Sequence, residues 1–277
     1  MTPYTEAVPD TGSTIGAYHH AIHHRDGLFS TVFKAWTSDG RVVALKVTYP
    51  DAMTQPHDSH REARILASTF APSIISLQES FSCSEGRFVM VFPFMPYDLG
   101  QVLGQERLSL SQVRSHLRDL FRALKHLHSI GIIHRDVKPS NVLLRTLSGP
   151  AYLADFGIAW SPTETASEPA DTKITDVGTT CYRPPELLFG HAAYDHTVDL
   201  WAAGCVVAET VTLRSQALFD AGPLGSELAL IQSMFKTLGT PTDETWPVRR
   251  HQYHRAAIGH AADDSLRKPL CSPIGAR

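Results

Sequence analysis

Four separated groups of residues in this chain have types and spacing that could support chemistry. Lys46 ends the run VALK, and Glu62 follows it on a predicted helix. A lysine held by a glutamate can present its ammonium group to phosphate oxygens while it stays charged. The other groups are HRDVKPSN at 134–141, DFG at 155–157 and GTTCYRPPE at 178–186, with DLWAAG following at 199–204. A lysine and a glutamate alone would indicate only a surface ion pair, so the order of all four groups carries the argument.

The elements that must position these groups change character along the chain. The stretches 29–36 and 41–48 are rich in β-branched residues and alternate between apolar and polar side chains. A Ser-Asp-Gly turn separates them, which predicts a β-hairpin. A helix over 58–70 and two further strands at 75–82 and 87–94 follow it. The stretches 109–131, 198–213 and 228–238 predict mainly helical structure after residue 96. We therefore expect an α+β protein with a small β-rich lobe, a larger α-helical lobe and a ligand cleft between them.

In this order and spacing, the four groups resemble the motifs of the eukaryotic protein kinases. HRDVKPSN is similar to the serine/threonine type, because a tyrosine kinase usually carries Ala and Arg where Lys138 lies. The resemblance covers about residues 17–247 and implies a two-lobed kinase fold that binds ATP and Mg²⁺ and phosphorylates proteins. It predicts an N-terminal extension at 1–16, an N-lobe at 17–95, an incomplete C-lobe at 96–247 and a divergent tail at 248–277.

The resemblance also implies a role for each motif residue, consistent with a reaction that depends on positioning and charge neutralisation. Asp136 would accept the proton of a protein hydroxyl, and Lys138 would neutralise the transferred group. Asn141 and Asp155 would bind Mg²⁺, while Asp199 would hold the loop around Asp136 in a structural role. The predicted nucleotide site consists of Gly27, Val32, Ala44, Lys46, Glu62, Phe92, Phe94, Met95 and Asp98.

Finer features resemble the cyclin-dependent branch, which implies a possible cyclin-like regulator. VMVFPFMPYDL at 89–99 is similar to the hinge of that branch, and Arg61 directly precedes Glu62. In the activation segment, Thr175 is the predicted phosphorylation site, with Thr172 as the alternative. Thr180 is expected to touch the catalytic aspartate, and Glu186 closes the segment. Arg183, together with a backbone turn at Gly178, predicts a pocket for proline after the target residue, and hence Ser/Thr-Pro substrates.

Three departures from the family pattern bear on activity. Arg25, Gly27 and Ser30 stand where the nucleotide loop usually has three glycines, which predicts weaker covering of ATP. The resemblance of His24-Arg25-Asp26 to the motif at 134–136 is accidental.

Trp160 replaces one of three arginines that usually hold the phosphate of the activation segment. Dependence on phosphorylation is therefore in doubt, and a kinase that activates other kinases is a further candidate. Beyond residue 247 the expected arginine partner of Glu186 is missing, and the candidate substitutes are Arg249, Arg250 and Arg255.

Composition narrows the remaining function classes. The net charge of −3 gives no reason to expect nucleic acid or an anionic membrane as a partner. The four cysteines form no CxxC pair, and no signal peptide is visible, so a cytoplasmic or nuclear location is expected. A zinc site among the fifteen histidines would need ligand spacing that the sequence does not show. The alternatives are a catalytically weak pseudokinase scaffold and a small-molecule phosphotransferase. The retained motif residues argue against the first, and residues 178–186 argue against the second.

Overall fold

The computed structural model describes residues 12–105, 108–211 and 216–242. The N-terminal part is an antiparallel six-stranded sheet in the order β1-β2-β3-β4-β6-β5. Its strands are β1 (Ser13–Ile15), β2 (Tyr18–Asp26), β3 (Ser30–Trp36), β4 (Val42–Thr48), β5 (Glu79–Ser82) and β6 (Phe88–Pro93). Strand β1 lies within the predicted N-terminal extension, so the sheet begins before the expected lobe boundary.

The predicted hairpin is present as β3 and β4, in which every residue from Ser30 to Trp36 has a partner between Val42 and Thr48. Because side chains alternate across a strand, Ala44 and Lys46 share one face of β4, while Val43 and Leu45 share the other. Val43 and Leu45 are buried in an apolar cluster within the sheet. The face that carries Ala44 and Lys46 is therefore the one available to the cleft.

The helix α1 (Ser59–Ser68) packs beside this sheet. Asp58 caps its N-terminus, because the Asp58 side chain accepts a hydrogen bond from the Arg61 backbone N–H at 2.9 Å. Its buried face carries Arg61, Glu62, Ile65 and Leu66. The helix predicted over 58–70 is shorter at its C-terminal end, because it stops at Ser68 and leaves Phe70 87% exposed.

The second lobe is mainly helical, as the sequence predicts. Its helices are α2 (Leu99–Gly104), α3 (Leu110–Ser129), α4 (Pro185–Leu188), α5 (Thr197–Val211) and α6 (Glu227–Leu238). Helix α3 begins with a capping box, in which the side chains of Ser109 and Gln112 each bond the other residue's backbone N–H. Among the described residues, no helix combines the length and apolar character needed to cross a membrane.

A small three-stranded sheet lies at the junction of the two lobes. It contains β7 (Tyr97–Asp98), β8 (Val142–Leu144) and β9 (Ala151–Leu153), in the order β7-β8-β9. Its apolar residues belong to, or pack against, one large core that also contains Met90 and Phe92 of β6 and Leu124 of α3. This sheet therefore places the motifs at 134–141 and 155–157, which flank β8 and β9, below the face of β4 that carries Lys46. The two-lobed α+β architecture matches the predicted fold class.

Candidate active site

The first part of the site is a charged triad between the two lobes. The Lys46 ammonium lies 2.7 Å and 2.8 Å from the two carboxylate oxygens of Glu62 and 2.7 Å from Oδ1 of Asp155. The side chains of Lys46 and Glu62 are 15% and 2% exposed, so this ion pair lies in the interior rather than on the surface. Strand β4, helix α1 and the DFG motif thus converge on one cation.

Electrostatics keep Lys46 and Asp155 ionised. Burial alone would lower the pKa of Lys46, but the negative charges of Asp155 and Glu62 outweigh burial and raise that pKa. The charge of Lys46 in turn holds the pKa of Asp155 well below its usual range. Burial raises the pKa of Glu62, and Lys46 opposes that increase. A fixed ammonium group beside a fixed carboxylate is suited to bind an anionic ligand together with a cation.

The second part of the site surrounds the Asp136 carboxylate. Lys138 Nζ lies 2.8 Å from Asp136 Oδ2, and the amide of Asn141 donates to the Asp136 carbonyl at 2.8 Å and to Oδ2 at 3.1 Å. Oδ1 accepts hydrogen bonds from the backbone N–H and the hydroxyl of Thr179, at 3.0 Å and 2.8 Å. Lys138 also donates to the Thr179 hydroxyl at 2.8 Å. The carboxylate is therefore held in a fixed orientation.

The contact with Asp136 corrects the sequence-based prediction, which assigned it to Thr180. Gly178 has a φ of +78°, and this left-handed turn directs the next residue, Thr179, at the carboxylate. Thr180 instead begins a short 3-10 helix (Thr180–Tyr182). Two consecutive threonines cannot be distinguished by spacing alone, because the turn at Gly178 sets which of them faces the site.

Asp199 of α5 supports the loop from below. Its carboxylate accepts the backbone N–H groups of His134 at 2.9 Å and Arg135 at 2.8 Å, and it contacts His128 Nε2 at 2.8 Å. The His134 ring lies 3.0 Å from the Ala154 carbonyl, which joins this loop to the DFG strand. The arrangement matches the structural role expected of Asp199, whereas the contribution of His128 had no signal in the sequence.

The predicted nucleotide and metal residues line one cavity of about 190 Å³ between the lobes. Its walls include all of the following: Gly27, Val32, Ala44, Lys46, Glu62, Phe92, Phe94, Met95, Asp98, Asn141 and Asp155. Val32 and Lys46 face each other across β3 and β4, and Ala44 faces Phe92 across β4 and β6. The cavity thus combines apolar walls with a charged end at Lys46 and Asp155.

Arg25, which stands where the nucleotide loop usually has its first glycine, forms an ion pair at the edge of this cavity. Its guanidinium Nη2 lies 2.6 Å from Asp98 Oδ2. Asp98 is 2% exposed, and its other carboxylate oxygen accepts the Gln101 backbone N–H at the start of α2. Arg25 therefore links the nucleotide loop to the opposite wall of the cavity with an ion pair.

A wider cleft of about 620 Å³ adjoins this cavity and shares Lys46, Glu62 and Asp155 with it. Asp136, Lys138 and Arg183 lie on its walls. Arg183 donates from Nε to the Gly178 carbonyl at 3.0 Å and forms ion pairs with Asp176 at 2.7 Å and Glu227 at 2.9 Å. The cleft therefore connects the charged end of the nucleotide cavity with Asp136 and Lys138.

The three remaining predicted residues of the activation segment have different surroundings. Thr175 is half-buried beside the wall of the wider cleft, and Thr172 is exposed. Burial raises the pKa of Glu186. The arginines suggested as partners of Glu186, namely Arg249, Arg250 and Arg255, lie outside the described residues, as does the predicted tail at 248–277.

Comparison with known proteins agrees with this geometry. The family model of the protein kinase domain matches residues 25–266. The chain is 36% identical over 230 residues to the serine/threonine-protein kinase csk1 of Schizosaccharomyces pombe, a match that covers 81% of this chain and 74% of csk1. This chain belongs to the protein kinase family.

Two further relatives narrow its position within the family. Cyclin-dependent kinase 7 of Xenopus laevis is 36% identical over 230 residues, which cover 80% of this chain and 62% of the frog protein. The crystal structure of the yeast RNA Pol II CTD kinase CTDK-1 complex superposes with a TM-score of 0.71 at 30% identity, covering 87% of this chain and 75% of that one. The chain is a serine/threonine kinase of the cyclin-dependent type and acts on protein substrates.

Proposed function

We propose that this kinase uses ATP and Mg²⁺ to phosphorylate serine or threonine residues that precede proline. One observation carries the proposal. The Asp136 carboxylate, fixed by Thr179, Lys138 and Asn141, lies on the wall of a cleft that adjoins the cavity containing Lys46 and Asp155. A protein hydroxyl and a nucleotide phosphate can therefore meet between these two groups.

The chain's own residues account for nucleotide binding. In this proposal, the apolar walls around Ala44 and Phe92 hold the base, and the Lys46 ammonium binds phosphate oxygens while Glu62 keeps it in position. Lys46 already sits at the charged end of the cavity, so little rearrangement is needed when the nucleotide binds. Preorganised charge of this kind supplies much of the catalytic effect in phosphoryl transfer.

The residues proposed to hold the metal ion have suitable chemistry. Asp155 offers a carboxylate and Asn141 an amide oxygen, and both line the nucleotide cavity. Magnesium prefers oxygen ligands and often binds through one or two protein groups together with phosphate oxygens. In the described part of the chain, no three His, Cys, Asp or Glu side chains form a metal site of their own. When bound, Mg²⁺ would neutralise negative charge on the phosphate oxygens.

The acceptor side of the reaction uses Asp136 and Lys138. Asp136 would accept a hydrogen bond from the serine or threonine hydroxyl, orient its oxygen and take its proton as the oxygen attacks phosphorus. Lys138 lies 2.8 Å from Asp136 and would offset the negative charge on the group being transferred. Thr179 fixes the carboxylate through two hydrogen bonds, so the reacting oxygen needs no further alignment.

The preference for proline follows from where the Gly178 carbonyl points. It accepts a hydrogen bond from Arg183 Nε at 3.0 Å and is therefore occupied. The substrate residue after the target serine or threonine would lie against this carbonyl. If that residue had a backbone N–H, the N–H would find no acceptor there, at a cost of about 1–3 kcal/mol. Proline has no backbone N–H and avoids this cost. We expect a preference for proline of roughly tenfold to a hundredfold.

We also propose that a cyclin-like protein binds this kinase. The frog relative, which is named cyclin-dependent kinase 7, suggests such a partner. Helix α1 carries Glu62, and Phe70 just beyond its end is 87% exposed. A partner that covers Phe70 would bury apolar surface. It would also fix the C-terminal end of α1, the helix whose Glu62 pairs with Lys46. The pseudokinase alternative gains no support, because Lys46, Asp136 and Asp155 are retained and converge on one cleft.

The proposal is tested with two peptides that differ only in the residue after the target serine, proline in one and alanine in the other. Purified full chain, Mg²⁺ and γ-labelled ATP are supplied, and kcat/KM is measured for each peptide. We expect kcat/KM to be at least about tenfold higher for the proline peptide. Equal values would refute proline direction, and transfer to neither peptide would count against this substrate class.

A further inference from the structure

Three buried cations meet where the activation segment packs against the rest of the kinase. Arg61 of α1 is 1% exposed, Arg135 beside the catalytic aspartate is 4% exposed, and Lys173 of the segment is 5% exposed. Burial lowers the pKa of Arg61 and Lys173, and the charge of Arg135 lowers both further. Buried like charges repel each other, so this cluster requires a negative group.

Glu168 of the activation segment supplies a negative group at this point. Its carboxylate oxygens lie 3.2 Å and 3.4 Å from Arg135 Nη1, and the two side chains are 9% and 0% exposed. Carboxylates oppose the effect of Arg135: Asp58 and Glu168 raise the pKa of Arg61, and Asp195 and Glu168 raise the pKa of Lys173. Glu168 is the carboxylate common to both cations and pairs directly with Arg135, so its charge acts on all three members of the cluster.

Trp160 shapes this site for a carboxylate of the same chain. Its indole N–H donates to the Glu168 carbonyl at 2.8 Å, and its ring lies 4.7 Å from the Lys173 ammonium. Lys173 in turn donates to the Tyr194 carbonyl at 2.7 Å. Trp160 stands where related kinases usually have a third arginine, and its indole N–H instead fixes the backbone of Glu168.

The contacts of this cluster reach both halves of the catalytic machinery. Arg61 donates to the Ala166 carbonyl at 3.3 Å, and its neighbour Glu62 holds Lys46. Arg135 precedes Asp136 and also donates to the Tyr194 hydroxyl at 3.0 Å. A displacement of the segment at residues 166–168 would therefore disturb the elements that carry Lys46 and Asp136.

We propose that Glu168 is a positioning residue whose buried carboxylate orders the activation segment, so that the kinase is active without phosphorylation of that segment. The inference rests on the proposed function, because it concerns the same catalytic centre. The charge that a covalently attached phosphate would bring to Arg61 and Arg135 is supplied by the chain itself. Glu168 acts through Arg135 and the loop that carries Asp136, and it touches neither nucleotide nor protein substrate.

The test uses the 277-residue chain made in bacteria, treated with phosphatase and checked by intact mass. Initial rates are measured with Mg-ATP and the proline-containing peptide for wild type, Glu168→Gln, Glu168→Asp and Asp136→Ala. Glu164→Gln is the matched control, because Glu164 pairs with the half-exposed Arg64 at 2.8 Å and not with Arg135, and its charge acts on Arg61 less than that of Glu168 does. Thermal melting and hydrogen exchange over residues 160–176 report folding and order of the segment.

We expect dephosphorylated wild type to be active. Glu168→Gln is expected to lower kcat about tenfold or more with little change in the KM for ATP, and to increase exchange over 160–176. Glu168→Asp should recover part of kcat, and Glu164→Gln should stay within about twofold of wild type. If Glu168 only stabilised the fold, Glu168→Gln would lower the melting temperature without lowering kcat selectively relative to the KM for ATP.

Three results would overturn the inference. The first is a dephosphorylated wild type that gains activity only when Thr172 or Thr175 is phosphorylated. The second is a Glu168→Gln variant with the kcat and exchange of wild type. The third is equal loss in Glu164→Gln and Glu168→Gln. Failure of the proposed function would look different, because wild type and Asp136→Ala would then show the same rate.

Discussion

Replacing Gly178 with alanine tests the geometry that places Thr179 and Arg183. Gly178 has a φ of +78°, and an added Cβ would lie 2.6 Å from the Arg135 carbonyl oxygen. Gly190 has a similar φ of +75°, but an added Cβ there would meet no atom within 4 Å. The two substitutions therefore share the conformational penalty, and only Gly178→Ala adds a clash.

The expected magnitudes follow from these distances. The left-handed conformation costs an alanine about 1–2 kcal/mol at either position. The clash at Gly178 involves backbone, so the Arg135 carbonyl must move, at a further cost of about 1–3 kcal/mol. Because Arg135 directly precedes Asp136, this movement also displaces the catalytic carboxylate. A misplacement of about 1 Å can lower the rate roughly a hundredfold.

The assay measures kcat/KM for the proline peptide and the melting temperature of each variant. Gly178→Ala is expected to lower kcat/KM about a hundredfold and to reduce the preference for proline over alanine. Gly190→Ala should lose stability but remain within about threefold of the wild-type kcat/KM. If folded Gly178→Ala matched Gly190→Ala in activity, the turn at Gly178 would not position the site as described here.

Three further outcomes follow from the site and its surroundings. Thr179→Ala should lower kcat about tenfold or more, because it removes the hydroxyl that donates to Asp136 and accepts from Lys138. Thr180→Ala should change kcat about threefold at most. Equal effects of the two substitutions would contradict the assignment of the contact to Thr179. Arg25→Gly should speed release of a fluorescent ATP analogue about fivefold in stopped-flow measurements, and Arg41→Gly, which breaks the exposed pair with Asp39, should leave release unchanged. Burial lowers the pKa of His116 relative to the unfolded chain, so the unfolded chain binds more protons and stability falls as pH drops below about 6.5. The melting temperature should therefore fall between pH 7.5 and 5.5, with a smaller fall for His116→Gln.

Sequence reasoning found the residues that converge in the cleft, because the chemistry expected of them constrains residue type and spacing together. Lys46, Asp136 and Asp155 are far apart in the chain, yet each lies in a short motif with its own signature. The alternating residues of 29–36 and 41–48 likewise predicted the hairpin of β3 and β4, which carries Lys46. Local pattern and site chemistry pointed to the same architecture, and the family comparison agrees.

Features that depend on tertiary contacts were missed. Nothing near Arg25 in the sequence indicates that its partner is Asp98, which lies 73 positions away. Residues 75–78 were predicted to begin a strand, but β5 starts at Glu79, because Ile75 instead bonds to Leu153 of the junction sheet. Glu168 lies in a polar stretch with no periodicity, so only the folded chain shows its pairing with Arg135.

The most direct test of the central claim is transfer of labelled γ-phosphate from Mg-ATP to the Ser-Pro peptide by wild type and by Asp136→Ala. Both proteins are first shown to be folded by thermal melting. The account predicts clear transfer by wild type and a loss of at least about a hundredfold in Asp136→Ala, because the group that orients and deprotonates the hydroxyl is removed. Equal transfer by the two proteins, or none by folded wild type, would contradict it.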